Sequence, residues 1–290
     1  MAEYRISSYD MKRQLMDLWL SCFEDLPKAV ECFFEMRYKP ENCVVCIEDN
    51  TVIAAIHMLP AKICINGQSF DACYHYAVST KNEYRNRGYM NQLSRFADKV
   101  AAKKGQKFAF LLPASDSLYN YYEKSGYKTC FKIRVVELTQ EQMKSYISNS
   151  GCNSNIFPSN SMYKLRKKIY NNIQMFVCWE EDAIKYASTL NSIYGGRTIF
   201  SGNSYAICSR PQNGTVEITE IVCEKENLIS LLTRIYSEYP DMNYRFRLPV
   251  SQQIFKEQGQ ILNFGMIKPL GEQSLDIIGS PDGYIGLTLD

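Results

Sequence analysis

The chain has 290 residues, enough for a substantial core and for two domains of ordinary size. Hydrophobic residues make up 46%, which marks a globular chain, and 33 Lys plus Arg nearly balance 31 Asp plus Glu, so bulk charge points to neither a nucleic-acid nor a membrane partner. No run approaches the ~18 apolar residues a membrane helix needs, and residues 1–20 lack a signal peptide's apolar core, so a cytoplasmic protein is expected. The eleven cysteines follow no framework and read as reduced thiols, mostly in the core. Cys43 and Cys46 form a CxxC, but in a strand residues three apart face opposite sides, and the only histidines, His57 and His75, lie elsewhere. No metal site is expected.

Tyr4-Arg5-Ile6 reads as a first strand. Asp10 is placed to cap a helix whose stripe is Met11, Leu15, Leu18, Trp19 and Cys22. A second helix follows Pro27, with Val30, Phe33 and Phe34 inward, and ends before Pro40. Strands are predicted at 43–48 and 52–59 around Asp49-Asn50, and at 62–65 and 69–79 around Asn66-Gly67, a hairpin signal.

The stretch 72–79 is apolar and aromatic, a buried strand. Met90, Leu93, Phe96, Ala97, Val100 and Ala101 form one helical stripe that stops at Gly105. Between strand and helix lie Arg85, Asn86, Arg87, Gly88, Tyr89 and Met90. A helix's first turn leaves N–H groups unpaired, and its dipole is positive there. Gly88 has no Cβ to hold a phosphate off, and Arg85 and Arg87 add forked donors, so the turn suits a phosphate. A second strand, 107–112, follows the helix and should run parallel to the first. Ser115, Asp116 and Ser117 can cap a short helix carrying Tyr119, Tyr121 and Tyr122 and ended by Gly126; a strand at 131–138 then closes the first domain.

Strand, Arg/Gly turn, helix, strand and the run Tyr121-Tyr122-Glu123-Lys124-Ser125-Gly126-Tyr127 together resemble the GNAT superfamily of acyl-CoA-dependent N-acetyltransferases. The family's Arg/Gln-x-x-Gly-x-Gly/Ala turn is matched by Arg85 to Met90, with Met90 departing from Gly/Ala as the enhanced-intracellular-survival (Eis-type) branch does. The resemblance covers about half the chain. It implies an α+β or α/β GNAT fold, a mixed sheet with splayed central parallel strands flanked by helices. It implies acetyl-CoA as cosubstrate and a small-molecule amine, aminoglycoside- or polyamine-like, or a peptide, as acceptor. The backbone of Ala77, Val78 and Ser79 would pair with the pantetheine arm, with the Val78 N–H on the thioester carbonyl. Arg85, Asn86, Arg87, Gly88, Tyr89 and Met90 would hold the pyrophosphate, Ser115 and, more weakly, Ser117 the pantetheine, and Tyr122 would act as general acid. Phe33, Phe34 and Met36 would roof the acceptor, with core packing as their alternative reading. The base stays unassigned among Asp71, His75 and the terminal carboxylate of Asp290. A non-catalytic acyl-CoA- or partner-binding protein of the same shape is the rival class, opposed by the intact Tyr122. A tRNA-dependent aminoacyl transferase is opposed by the Arg/Gly turn.

Residues 139–162, rich in Gln, Ser, Asn and Gly, read as a linker. Residues 163–290 read as a second, degenerate GNAT-like domain after a first at 1–138. The hexapeptide at 110–115, Phe-Leu-Leu-Pro-Ala-Ser, recurs at 246–251 as Phe-Arg-Leu-Pro-Val-Ser, and both follow a strand–helix unit, the pattern of a duplication. Where the first copy has its Arg/Gly turn, the second has Cys223-Glu224-Lys225-Glu226-Asn227, whose carboxylates would repel pyrophosphate. The basic run Lys164-Leu165-Arg166-Lys167-Lys168 reads as a solvated helix face.

Overall fold

A computed structural model describes residues 2–147, 161–256, 258–274, 276, 278–279 and 282–287. The chain forms two compact units: Met1–Cys130 with Gly265–Ser280, and Phe131–Phe264 with Pro281–Asp290.

In the first unit β1 (Glu3–Ile6) is followed by α1 (Lys12–Cys22) and α2 (Pro27–Met36). Asp10 does not cap α1; it lies inside a short turn, Tyr9–Met11, that begins at Ser8 and feeds straight into the helix. β2 (Cys43–Glu48), β3 (Thr51–Ile65) and β4 (Gln68–Thr80) form the expected antiparallel meander. Both tight turns have the left-handed pairs such hairpins need, Asp49-Asn50 with φ 48° and 59° and Asn66-Gly67 with φ 49° and 80°. β3 is one long strand rather than two. Pro60 lies beyond Cys43↔His57, where the β2 pairing ends, so its missing N–H interrupts no bond to β2.

After α3 (Tyr89–Lys103), β5 (Phe108–Leu111) lies parallel to β4, and α4 (Asp116–Glu123) follows. Side chains alternate across β4. Tyr74 and Tyr76 join an aromatic cluster that includes Trp19 and Phe33 of α1 and α2, whereas Cys73 packs with Leu93, Ala97 and Val100 of α3.

The second unit takes in most of β6 (Lys128–Leu138), the strand expected to close the first domain. α5 (Gln140–Ile147) replaces the start of the expected linker, because Met143 is buried in this unit's core; residues 148–160 of that linker lie outside the described residues. α6 (Met162–Tyr170), β7 (Met175–Cys178), α7 (Glu181–Ile193), β8 (Arg197–Phe200), β9 (Tyr205–Cys208), β10 (Thr215–Val222), α8 (Leu228–Glu238) and β11 (Asn243–Leu248) complete it, with the strands ordered β6-β11-β10-β9-β8. The basic run does not form a uniformly solvated face: Arg166 is buried, ion-paired with Glu220 at 3.2 Å and bonded to the carbonyls of Val177 and Ile285.

The unit's centre repeats the first. β10 runs antiparallel to β9 with a bulge between Ile218 and Glu220, then crosses over through α8 to a parallel β11. Phe110 and Phe246, the first residues of the repeated hexapeptide, each close the registered parallel pairing, opposite Tyr74 and Ile218. The likeness stops there. Residues around Phe255 form turns rather than a helix, with Phe255 at φ 49°.

A last strand, β12 (Gln260–Pro269), returns to the first unit and pairs antiparallel with β5, Met266↔Leu111 to Pro269↔Phe108. Cys22, Cys32, Cys43, Cys46, Cys73, Cys130, Cys208 and Cys223 are free thiols, but Cys64 and Cys178 are each in a disulfide. This corrects the expectation of thiols throughout. A disulfide needs proximity in space, which spacing along the chain does not report. No helix among the described residues is long and apolar enough to cross a membrane.

Candidate active site

β4 and β5 pair over three residues only, Ala72↔Phe108, Cys73↔Ala109 and Tyr74↔Phe110. Beyond Tyr74, β4 continues to Thr80 alongside β3, while β5 ends at Leu111 and turns away at Pro113. The parallel pairing therefore stops at Tyr74↔Phe110, and β4 runs on past it to Thr80.

That half of β4 is irregular. Its register on β3 passes from His57↔Tyr76 to Ala55↔Ser79, so Ala77 and Val78 together face Ile56. This is a β-bulge, which takes one residue out of the ladder and re-aims its backbone. Ala77 sits at φ 46°, a left-handed conformation costing a residue with a Cβ roughly 1–2 kcal/mol. Ala77 and Val78 are half-buried and Ser79 is buried.

The turn after β4 is built to leave donors free. The Arg85 Nε donates to the Thr80 carbonyl at 3.0 Å, which folds the turn back on the strand end. Asn86 and Gly88 are left-handed, at φ 61° and 83°, with Arg87 between them. Such alternation turns successive N–H groups toward one side. Gly88 is the N-cap of α3, no side chain caps the helix, and the first turn holds no acidic residue. A Cβ on Gly88 would meet nothing within 4 Å, so the space before the helix is open. Arg85, Asn86, Arg87 and Gly88 are exposed, and the Arg87 guanidinium lies 5.6 Å from the Tyr84 ring centroid. Tyr89 and Met90 anchor the turn instead: Tyr89 donates to the Glu48 carboxylate at 3.1 Å, and Met90 packs on the core beneath α3.

Beyond β5 lies α4. Ser115 is its N-cap, but its Oγ bonds the Ser117 Oγ at 2.9 Å rather than a backbone N–H, and both serines are exposed. The Tyr121 hydroxyl donates to the Asn91 Oδ1 at 2.9 Å, tying α4 to the first turn of α3. Tyr122 stacks edge-on against Tyr121 and Tyr127, with centroids 5.2 and 5.6 Å apart. Its hydroxyl has no hydrogen-bond partner among the described residues. Burial, with Tyr121 adding to it, pushes this phenol up to about 12. It is a protonated, uncommitted donor at neutral pH.

Below Tyr122 lies a buried polar group that the sequence reading did not assemble. The Tyr127 hydroxyl is 2.9 Å from the His75 Nδ1. Lys268 of β12 lies 4.6 Å from the centre of the Tyr127 ring and is ion-paired with Asp98 of α3 at 2.6 Å. No local signal marks these residues, because they come from three elements and the loop before β6. His75 is pulled down to about 3 by burial and then by Lys268, so its ring is neutral at neutral pH. An imidazole with its ordinary pKa would suit a base near neutral pH; burial removes that advantage. Asp71 is exposed, before the parallel pairing begins, and Asp290 lies outside the described residues. Phe33 and Phe34 do not line an open roof: both are buried in the cluster of Trp19, His57 and Tyr76. Met36 is half-buried, with the Cys32 thiol 3.5 Å from its sulfur.

Comparison with known proteins agrees with this geometry. Residues 3–130 match the family model for the Acetyltransferase (GNAT) domain. A GCN5-related N-acetyltransferase from Anabaena variabilis has a TM-score of 0.73 to this chain at 16% identity, over 92% of this chain and 72% of that one. A probable N-acyltransferase from Enterococcus faecalis gives 0.70 at 15% identity, over 93% and 73%. Eis1 from Mycobacterium abscessus gives 0.66 at 10% identity, over 93% and 73%. At these identities the likeness is one of fold. No curated protein matches the sequence. Residues 3–130, which carry the Arg/Gly turn, thus match the GNAT acetyltransferase domain, and the fold of the chain is that of the solved N-acetyltransferases.

Proposed function

We propose that the protein transfers an acetyl group from acetyl-CoA to a primary amine of a small molecule or peptide. The observation that carries this reading is the uncapped, Gly-led N-terminus of α3, with Arg85 and Arg87 beside it, at the end of a β4 that runs on past its short parallel pairing with β5. The turn is positive and offers backbone donors to a pyrophosphate. The bulge at Ala77 and Val78 offers backbone to the pantetheine arm, with the Val78 N–H serving the thioester carbonyl. Ser79, Ser115 and Ser117 flank the same path.

In the reaction a neutral amine attacks the thioester carbonyl, a C–N bond forms and the C–S bond breaks. The departing thiolate takes its proton from Tyr122, whose hydroxyl carries no competing bond. The proton lost by the amine passes to a base outside the set of residues assigned here. An aminoglycoside- or polyamine-like acceptor belongs to this proposal through the family resemblance alone, and a cytoplasmic location accords with it.

Calorimetry with acetyl-CoA tests the reading. Gly88→Glu places a carboxylate where the pyrophosphate is drawn, in a left-handed position that disfavours a side chain. Tight binding by the wild type, lost in Gly88→Glu, is the expected result. Absence of binding by the wild type would rule the transferase out and leave a partner-binding role.

A further inference from the structure

Arg87 is exposed, and no carboxylate pairs with it among the described residues. Its guanidinium is instead set against the Tyr84 ring, 5.6 Å from the centroid, a cation–π contact. Tyr84 lies in the short turn Asn82–Tyr84, ahead of the Arg/Gly turn, and is half-buried. Its ring meets that of Tyr89 edge-on, with centroids 6.0 Å apart. Tyr89 is the first residue of α3, and its hydroxyl donates to the Glu48 carboxylate, 3.1 and 3.3 Å from the two oxygens. Both tyrosines also pack on the core beneath α3. A single line of contacts therefore runs from Glu48 through Tyr89 and Tyr84 to Arg87.

Glu48 is a firm place to anchor that line. It ends β2, immediately before the tight Asp49-Asn50 turn, so its backbone is held by the hairpin. It is half-buried, and no cation pairs with it among the described residues, which leaves the Tyr89 hydroxyl as its side-chain partner. A hydrogen bond to a charged acceptor is stronger than one to a neutral acceptor. The carboxylate also works against an anion drawn to the α3 N-terminus, because like charges repel. Its contribution is therefore mechanical: an arginine held in one place before the ligand arrives loses less freedom on binding it.

We infer that Glu48 and Tyr84 are positioning residues for Arg87. The carboxylate fixes Tyr89, Tyr89 braces the Tyr84 ring, and that ring aims the guanidinium at a phosphate of the cosubstrate. This rests on the acyl-CoA reading above. Both residues lie outside the Arg85–Met90 turn, and both act on binding through Arg87.

The test is a double-mutant cycle on the full chain, read by calorimetry with acetyl-CoA and with CoA. Arg87→Ala should weaken both ligands about tenfold, the loss of one charge-assisted contact. Tyr84→Leu, Tyr89→Phe and Glu48→Ala should each weaken both about three- to fivefold. Glu48→Gln, which keeps an acceptor for the Tyr89 hydroxyl and sheds the charge, should recover most of that loss. Combined with Arg87→Ala, Tyr84→Leu and Tyr89→Phe should cost nothing further, because the group they position is gone. A merely structural role would lower the urea midpoint and leave the affinity of the folded protein alone. Unchanged affinity in Tyr84→Leu and Tyr89→Phe overturns the inference. So does an Arg87→Ala without effect, a loss that persists in full on top of Arg87→Ala, or a loss confined to acetyl-CoA. Each of these leaves the acyl-CoA site standing. If Glu48→Ala fails to fold, Tyr89→Phe, which removes a single oxygen, decides alone. Failure of the wild type to bind either ligand overturns both readings.

Discussion

Tyr122 and the two histidines show how burial assigns chemical roles that residue type leaves open. A phenol ordinarily near 10 is pushed up to about 12, so Tyr122 stays protonated through the range in which a neutral amine is available. Tyr122→Phe should lower kcat by about 10²–10³ with little change in acetyl-CoA affinity, read from steady-state rates beside calorimetry. An equal loss of both would mean that Tyr122 packs under the cosubstrate and nothing more. His57 and His75 are shifted the other way, to about 3, by burial and, for His75, by Lys268 as well. Their folded pKa values lie below the unfolded value near 6.5, so the unfolded chain binds more protons below that pH. The stability they confer is present above about 6.5 and is lost as pH falls toward 3, at up to about 1.4 kcal/mol per pH unit for each. Urea midpoints at pH 7 and 5 should show this loss, and His57→Phe should reduce it.

At the scale of elements, the short parallel pairing of β4 and β5 leaves the second half of β4 to run on alone beside β3, and the bulge at Ala77 re-aims its backbone there. The helices on either side were readable in the chain, because 3.6-residue stripes and a terminal Gly are local signals. The bulge was not, since nothing in Tyr76-Ala77-Val78-Ser79 distinguishes a regular strand from an irregular one. β12 was not anticipated either. It returns after the second unit to cover the free edge of β5, where Met266, Ile267 and Leu270 become buried and Lys268 meets Asp98. Three such side chains contribute on the order of 5–9 kcal/mol by apolar burial. A fragment ending at residue 130 should therefore fail to unfold cooperatively in urea, although it spans the whole family match. Adding residues 265–280 through a short linker should restore the transition. A cooperative transition in the bare fragment would show that β12 is dispensable.

At the scale of the whole molecule, two units share one plan and differ in what occupies it. In the first, the β4 turn presents Arg85, Arg87 and Gly88 to solvent. In the second, the corresponding turn carries Glu224, which pairs with Lys168 and accepts from Asn227. Just past the parallel pairing, β10 carries Glu220, fully buried against Arg166 and bonded by the Tyr205 hydroxyl at 2.7 Å. A Cβ on Gly286 would collide with both charged groups, so the chain closes tightly over them. Removing one partner leaves an uncompensated buried charge. Glu220→Gln should cost about 3–5 kcal/mol in urea unfolding yet leave the acetyl-CoA affinity of the folded protein unchanged. A parallel loss of affinity would implicate the second unit in the site.

The sequence by itself determined the strand–turn–helix–strand series, the Arg85–Met90 turn, Tyr122 and the repeat of Phe110 at Phe246, because each is written in neighbouring residues. The tertiary structure alone decided the rest. The division of the chain, with β6 leaving the first unit and β12 entering it, depends on pairings between residues more than a hundred positions apart. The burial of Arg166 within a run of lysines depends on a carboxylate from β10. The neutral state of His75 depends on its burial beside Tyr127 and on the charge of Lys268. Desolvation and hydrogen bonding are set by what surrounds a group in space, and that surrounding comes from segments that periodicity and local motifs cannot bring together.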